Sequence, residues 1–164
     1  MKAQWLYLLY VLRHKWFVYK AGKVLGLPLW RLLVHDLSKF SADEWFPYVD
    51  YFYGGGKESG SPYKKAAFEV AWQHHWRNNK HHPEYWARGK ALSHASKPMP
   101  LDYVREMVAD WYGAGKAQGS TDCWAWYLQN SSNYPIQPGT RLTIEACLTT
   151  LEAVEMIPPR NGRV

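Results

Sequence analysis

From residue 3 to about residue 22 the chain carries apolar side chains at positions 5, 8, 9, 12 and 16, and also at 7, 10, 11, 17 and 18. At 3.6 residues per turn these positions run nearly all the way round a helix, and a helix apolar on every side needs neighbours on every side. That requirement points to a helical bundle with this segment at its centre. Arg13, His14 and Lys15 follow the run Trp5 to Leu12 directly, with no small-residue cleavage pattern after them. The run therefore reads as a buried helix rather than an export signal.

Proline and glycine punctuate the remainder. Pro28 opens a helix expected to reach about Phe40, and Ser41 with Glu44 forms a capping box for a third helix, limited or bent by Pro47. Gly54, Gly55 and Gly56 end that segment, and residues 57–61 read as loop. Ser61 and Pro62 are placed as N-cap and first residue of a long helix to about Asn79. Pro83 disfavours helical backbone in the residue before it, so the chain is expected to turn out near His81 and His82 before a short helix from Pro83 to Leu92. Leu101 to Tyr112 is amphipathic through Val104, Met107, Val108 and Trp111, with Gly113 and Gly115 as its stop. Residues 113–139 read as loop around a short helix from Asp122 to Leu128. Thr140 starts a last helix with Ile144, Cys147, Leu148, Leu151 and Val154 on one face. No segment alternates in the manner of a strand, so the expectation is all-α, one domain over residues 1–157 in seven or eight helices, with a tail at 158–164.

The chain has 164 residues, 47% of them hydrophobic and 21% charged. Disordered and collagen-like classes are thereby excluded. Its formal net charge of +6 favours anionic partners, nucleotides or nucleic acid among them. Cys123 and Cys147 stand apart with no CxxC, which argues against a disulfide scaffold or a cysteine zinc site and for a reducing cytoplasm. No apolar run reaches the length needed to span a bilayer, so no membrane partner is expected.

The seven histidines are clustered rather than scattered. Imidazole and carboxylate together suit Mn, Fe, Co, Ni or Zn, and the adjacent pair His35-Asp36 offers one of each. On a continuous helix Lys39 would share a face with His35, within reach of a phosphate beside such a metal. A second cluster holds His74, His75, Asn79, His81, His82 and Glu84, with Arg77 and Lys80 among them. On one straight helix His75 and His82 would lie roughly 10 Å apart along the axis, too far for one ion, and the exit at Pro83 removes that obstacle. Asp102, Glu106 and Asp110 form an acidic stripe. Asp102 is expected in the first turn and Glu106 toward water, while Asp110, beside Met107 and Trp111, needs a cation or a hydrogen-bonding partner.

In this order the residues His14, His35-Asp36, His75, His81-His82 and Asp110 resemble the HD-domain superfamily of metal-dependent phosphohydrolases. The strings HDLSKFSADE, HHWRNNKHHPEYW and MPLDYVREMVADW look like an uncharacterised, often phage-encoded HD-like family. The resemblance runs from about Leu12 to Trp111 and implies an HD-like all-α fold acting in the cytoplasm, that of the host where the gene is a phage's. It implies that His35, Asp36 and Asp110 are metal ligands, with His14, His75 and one of His81 or His82, His82 being preferred, completing a site for one or two divalent ions. The chemistry implied is hydrolysis of a phosphate ester or anhydride, as in a nucleotide. Asp36 would bind or bridge metal, Lys39, Arg77 and Lys80 would neutralise phosphate, and Glu84 would orient a ligand histidine or carry a proton. Trp72, Trp76 and Trp86 are candidates to stack a base. Two rivals use the same residues differently: an HD-type di-iron oxygenase, and a non-catalytic nucleic-acid or partner-binding module built on the charge and the aromatics.

Overall fold

Helix α1 (Lys2–Val24) is 23 residues long, and two apolar clusters are strung along one of its faces. The computed structural model describes residues 1–87, 97–120, 122–134 and 136–160. Among the described residues the chain forms nine α-helices and no strand, in a single all-α domain. After α1 come α2 (Leu29–Val34), α3 (Ala42–Phe52), α4 (Gly56–Ser59), α5 (Pro62–Asn78), α6 (Pro83–Ala87), α7 (Leu101–Ala117), α8 (Cys123–Asn130) and α9 (Pro138–Ala153). Short 3-10 turns lie at Leu37–Phe40 and Ser131–Asn133.

The most extensive helix pairing among the described residues is α1 with α7. Gly113 makes it possible: a Cβ there would stand 2.5 Å from Val18 Cγ2 and 3.0 Å from the His14 carbonyl oxygen. Gly113 and Gly115 thus do not stop α7, as the sequence suggested. The helix continues through them to Ala117, because the missing side chain at 113 is spent on close approach rather than on a turn. Val18 and Ala21 of α1 join Val104, Met107 and Val108 of α7 and Ile144, Leu148 and Leu151 of α9 in the larger cluster. Tyr7 and Val11 join Tyr48 and Val49 of α3 and Ala71 of α5 in the smaller. His14 sits on α1 between Val11 and Val18, at the seam of the two clusters.

Other expectations are corrected. The first helix is not covered all round: Trp5, Leu9, Leu12 and Trp16 are exposed. The helix opened by Pro28 ends at Val34, and a one-turn helix, α4, occupies residues read as loop, so the count exceeds eight. Helix α3 passes through Pro47, and its N-cap Ser41 makes no side-chain capping bond. Helix α9 starts at Pro138, with Gln137 capping the Thr140 amide at 3.0 Å. Ser61 with Pro62 does begin α5, and Asp122 caps α8. The expected extension of α6 to Leu92, His94 and the end of the tail lie outside the described residues. No helix among the described residues is long and apolar enough to cross a membrane.

Candidate metal centre

The centre is organised by a break in the chain. Asp36 adopts φ 56 and ψ 26, a left-handed conformation that a short polar side chain tolerates better than most, and α2 ends before it. Backbone of this kind, persisting in a buried aspartate, is characteristic of functional positions. Lys39 is then carried on a 3-10 turn, so it does not share a helical face with His35. Its Nζ instead lies 2.6 Å from Asp36 Oδ2.

Four other elements converge on Asp36. Helix α1 supplies His14 from its buried face, and α5 supplies His75 from its last turn. The chain leaves α5 at Asn79, in extended backbone, and turns at His81 and His82. Helix α7 presents Glu106 and Asp110 one turn apart. The rings of His75 and His82 come within 4.8 Å of each other, centroid to centroid, an approach that a straight helix forbids. Asp36 Oδ2 lies 3.3 Å from His14 Nε2 and 3.4 Å from His35 Nε2. Its Oδ1 lies 3.5 Å from His75 Nε2 and 3.4 Å from His81 Nε2. Asp110 Oδ1 stands 3.1 Å from His14 Nε2 and 3.4 Å from His35 Nε2.

Two four-residue groups therefore share Asp36: His14, His35, Asp36 and Asp110, and Asp36, His75, His81 and His82. Four ligand atoms held at about 2.1 Å around one ion in a tetrahedron stand about 3.4 Å from each other. The separations of 3.1 to 3.5 Å fit that pattern. Oδ1 of Asp36, and Nε2 of both His81 and His82, are buried without a hydrogen-bond partner, while Oδ2 of Asp36 is paired with Lys39. Buried polar atoms left this way are costly unless something else, such as a cation, satisfies them.

A surrounding layer fixes the rings. Glu44 Oε2 accepts from His75 Nδ1 at 2.7 Å and its Oε1 from His74 Nδ1 at 2.8 Å. Glu106 Oε1 accepts from His35 Nδ1 at 3.1 Å and faces His81 Nδ1 at 3.4 Å, and Arg31 holds its other oxygen at 2.9 Å. An ionised carboxylate can only accept, so each ring that donates through Nδ1 turns its Nε2 toward Asp36, and that nitrogen offers a lone pair to a metal once the ring is neutral.

Charge points the same way. Asp36, Glu44, Glu106 and Asp110 are buried carboxylates; among the described residues Lys39 and Arg31 pair with them directly, and Lys15 lies near enough to be attracted by Asp36 and Glu106. Burial would raise the Asp36 carboxyl, but His35, Lys39 and His75 hold it well below the usual range. Asp110 is likewise held low against burial by His14 and His35. Burial alone would lower Lys39, yet Asp36 and Asp110 keep it charged. His35 is pushed up to about 9, since Asp36, Asp110 and Glu106 outweigh burial. His82 goes the other way, far below its ordinary value, through burial and the neighbouring His81 and His75. A neutral imidazole of this kind is a ready ligand.

The structure thus gathers His14, His35, Asp36, Lys39, His75, His82 and Asp110, and brings in His81 as well as His82. His74 faces outward on Glu44. Glu84 is partly buried, with Oε2 lacking a partner and burial raising its pKa, but it bonds no ligand ring. The orienting role expected of it belongs to Glu44 and Glu106. Arg77 and Lys80 are exposed, lie over the rings of Trp76 and Tyr85, and make no ion pair with the cluster. Trp72 stacks on His75 and meets His82 edge-on, and Trp86 packs against Tyr85 and Tyr103 while its Nε1 donates to the Lys80 carbonyl.

Sequence reasoning missed Glu44, taken as a capping residue, and Glu106, expected to face water. Glu106 lies one turn before Asp110, and that spacing was the available signal. The profile of a family described as of unknown function, DUF5662, matches residues 3–150. No curated protein and no solved structure matches the chain.

Proposed function

The chain belongs to the DUF5662 family, whose description assigns no activity, and from the site itself we propose a metal-dependent phosphohydrolase acting on a nucleotide or a related phosphate ester or anhydride. The observation that carries this reading is the placement of Asp36, whose two oxygens face two separate sets of imidazole nitrogens. His14, His35 and Asp110 would hold one divalent ion with Asp36, and His75, His81 and His82 a second. Bound metal would lower the pKa of a coordinated water and draw electron density from a phosphoryl oxygen.

The chain's own residues account for the rest. Glu44 and Glu106 orient the imidazoles. Lys39 is the buried cation beside Asp36 and is the group a phosphate oxygen would meet. Glu84, whose pKa burial raises, would be the group to hand a proton to a leaving oxygen. The resemblance to HD-type enzymes supports the same reaction class, though one fold carries many chemistries.

The test is metal analysis of protein purified without a histidine tag, followed by loading with Mn, Co, Fe or Zn and a screen of nucleotides for phosphate release. Phosphate release that requires metal and is lost in Asp36→Asn is expected. Turnover unaffected by that substitution would sink the reading, and oxygen consumption with an iron absorption band would replace it by an oxygenase.

A further inference from the structure

The outer face of α1 is an apolar feature that the metal centre leaves unused. At 100° per residue, Trp5, Leu9, Leu12 and Trp16 fall within about 60° of arc, a strip roughly 16 Å long on the side away from Tyr7, Val11, His14 and Val18. All four are exposed, Trp5 at 59% and Trp16 at 58%. The helix therefore has two apolar faces, of which the fold uses one. Lys15 donates to the carbonyl oxygens of Leu33 and His35, which seats the end of α2 beside α1. There Trp30 and Leu33 are exposed too. Together they form more uncovered apolar surface than scattered single residues make, and patches of that kind mark contact sites.

Charge selects the occupant. The first 35 residues hold six lysines and arginines and no aspartate or glutamate, so the remaining 129 hold fourteen of each sign and cancel. The whole net charge of +6 belongs to α1 and α2. Arg31 is taken by Glu106 and Lys15 by the carbonyls. Lys2, Arg13, Lys20 and Lys23 are exposed and form no ion pair among the described residues. On the helix Lys2, Arg13 and Lys20 flank the apolar strip and Lys23 prolongs it. Glu155 lines the same shallow depression as Lys20 and Lys23 without pairing with either.

A second copy of this face would set basic residues against basic residues, which opposes self-association. A nucleic-acid backbone needs cations at the centre of the contact, whereas here the centre is indole and leucine. Indole and leucine in the middle with lysine and arginine at the border match the boundary between acyl chains and anionic headgroups. We propose that the outer face of α1, with the adjoining end of α2, docks the protein peripherally on an anionic lipid surface. The expectation of no membrane partner thereby narrows to no membrane-spanning one. Helix α1 lies along the lipid, and its inner face with His14 stays in the fold. The proposal stands independently of the reading of the metal centre.

The test is co-sedimentation of the full chain with vesicles of phosphatidylcholine containing phosphatidylglycerol, against vesicles of phosphatidylcholine alone. Binding is expected to be at least about tenfold stronger to the anionic vesicles and to fall as salt rises. Lys20→Gln and Lys23→Gln should each weaken it about fivefold, and Trp16→Ser by about tenfold or more. These positions are exposed, so unchanged circular dichroism and melting are expected, and Tyr63→Ser, 86% exposed on α5, should leave vesicle binding intact. Equal binding to both vesicle types, or none to either, overturns the proposal. So does self-association abolished by Trp16→Ser, which would assign the face to a second copy. Duplex DNA binding that is tighter than vesicle binding and indifferent to Trp16→Ser would equally overturn it.

Discussion

Glu106 and His35, 71 residues apart in the chain, meet in the interior at 3.1 Å, and Arg31 grips the same carboxylate from the other side at 2.9 Å. Through this contact α7 sets the angle of the His35 ring. Glu106→Ala removes the acceptor and frees the ring to rotate, and outer partners of this type are worth about 10–100-fold in metal affinity. A loss in that range is expected by competition against a chromophoric chelator. Glu106→Gln, which keeps one acceptor oxygen, should lose less. Wild-type affinity in both variants would show that the contact orients nothing.

Asp36 allows a cleaner test than its neighbours. Asparagine also tolerates left-handed backbone, so Asp36→Asn keeps the turn at φ 56 while removing the charge, whereas Asp36→Ala adds backbone strain of about 1 kcal/mol. Metal at 100 times its dissociation constant should stabilise the wild type by about 2.7 kcal/mol. For a chain of this size that corresponds to a rise in Tm of about 5–10 °C, reversed by a chelator. Asp36→Asn, which also leaves Lys39 without its closest partner, should melt below the metal-free wild type and show no rise on addition of metal. A full rise in Asp36→Asn would place the ion elsewhere.

How much of this centre was legible in the sequence depends on what each residue type can do alone. His35-Asp36, the run from His74 to His82 and Asp110 stand out because histidine is scarce and an acid beside Met107 and Trp111 needs an explanation. Pro83 also reported correctly that the chain leaves its helix, since that constraint is local. Glu44 was not legible, because a glutamate three residues after a serine looks the same whether it caps a helix or accepts from a ring 31 residues away. The break at Asp36 was hidden for a similar reason: the buried partners that stabilise a left-handed aspartate come from α1, α5 and α7. The two faces of α1 were read as one all-round apolar helix, because composition around a helix does not say which neighbours exist.

The metal-stripped protein should have a characteristic pH profile. His35 is pushed up to about 9 from an ordinary 6.5, so between those values the folded chain keeps a proton that the unfolded chain has released. That contribution is complete below about pH 6.5 and is lost as pH rises through 9. His75 and His82 are held below 6.5, so the unfolded chain takes up their protons first and stability declines again on the acid side. Melting in the presence of a chelator should therefore be highest near neutrality and fall toward pH 9. Metal-loaded protein should lose the alkaline decline, because a cation replaces the proton as the partner of Asp36 and Asp110. A Tm that climbs steadily from pH 6.5 to 9 without metal would contradict the charge state assigned to His35.

Gly113 tests whether the seam between α1 and α7 is as tight as it looks. Inside a helix, alanine is favoured over glycine by about 1 kcal/mol, so on propensity alone Gly113→Ala should stabilise. The added methyl would meet Val18 Cγ2 at 2.5 Å and the His14 carbonyl oxygen at 3.0 Å, and backbone cannot swing aside as a flexible side chain can. Overpacking of this kind costs about 1–3 kcal/mol, which outweighs the propensity gain over most of its range. A fall in Tm of up to about 8 °C is expected by calorimetry. Because the clash pushes on His14 itself, metal affinity should fall with it, and valine at 113 should be worse on both counts. A Tm raised by Gly113→Ala would mean that the two helices are not held at the separation His14 needs to reach Asp36 and Asp110.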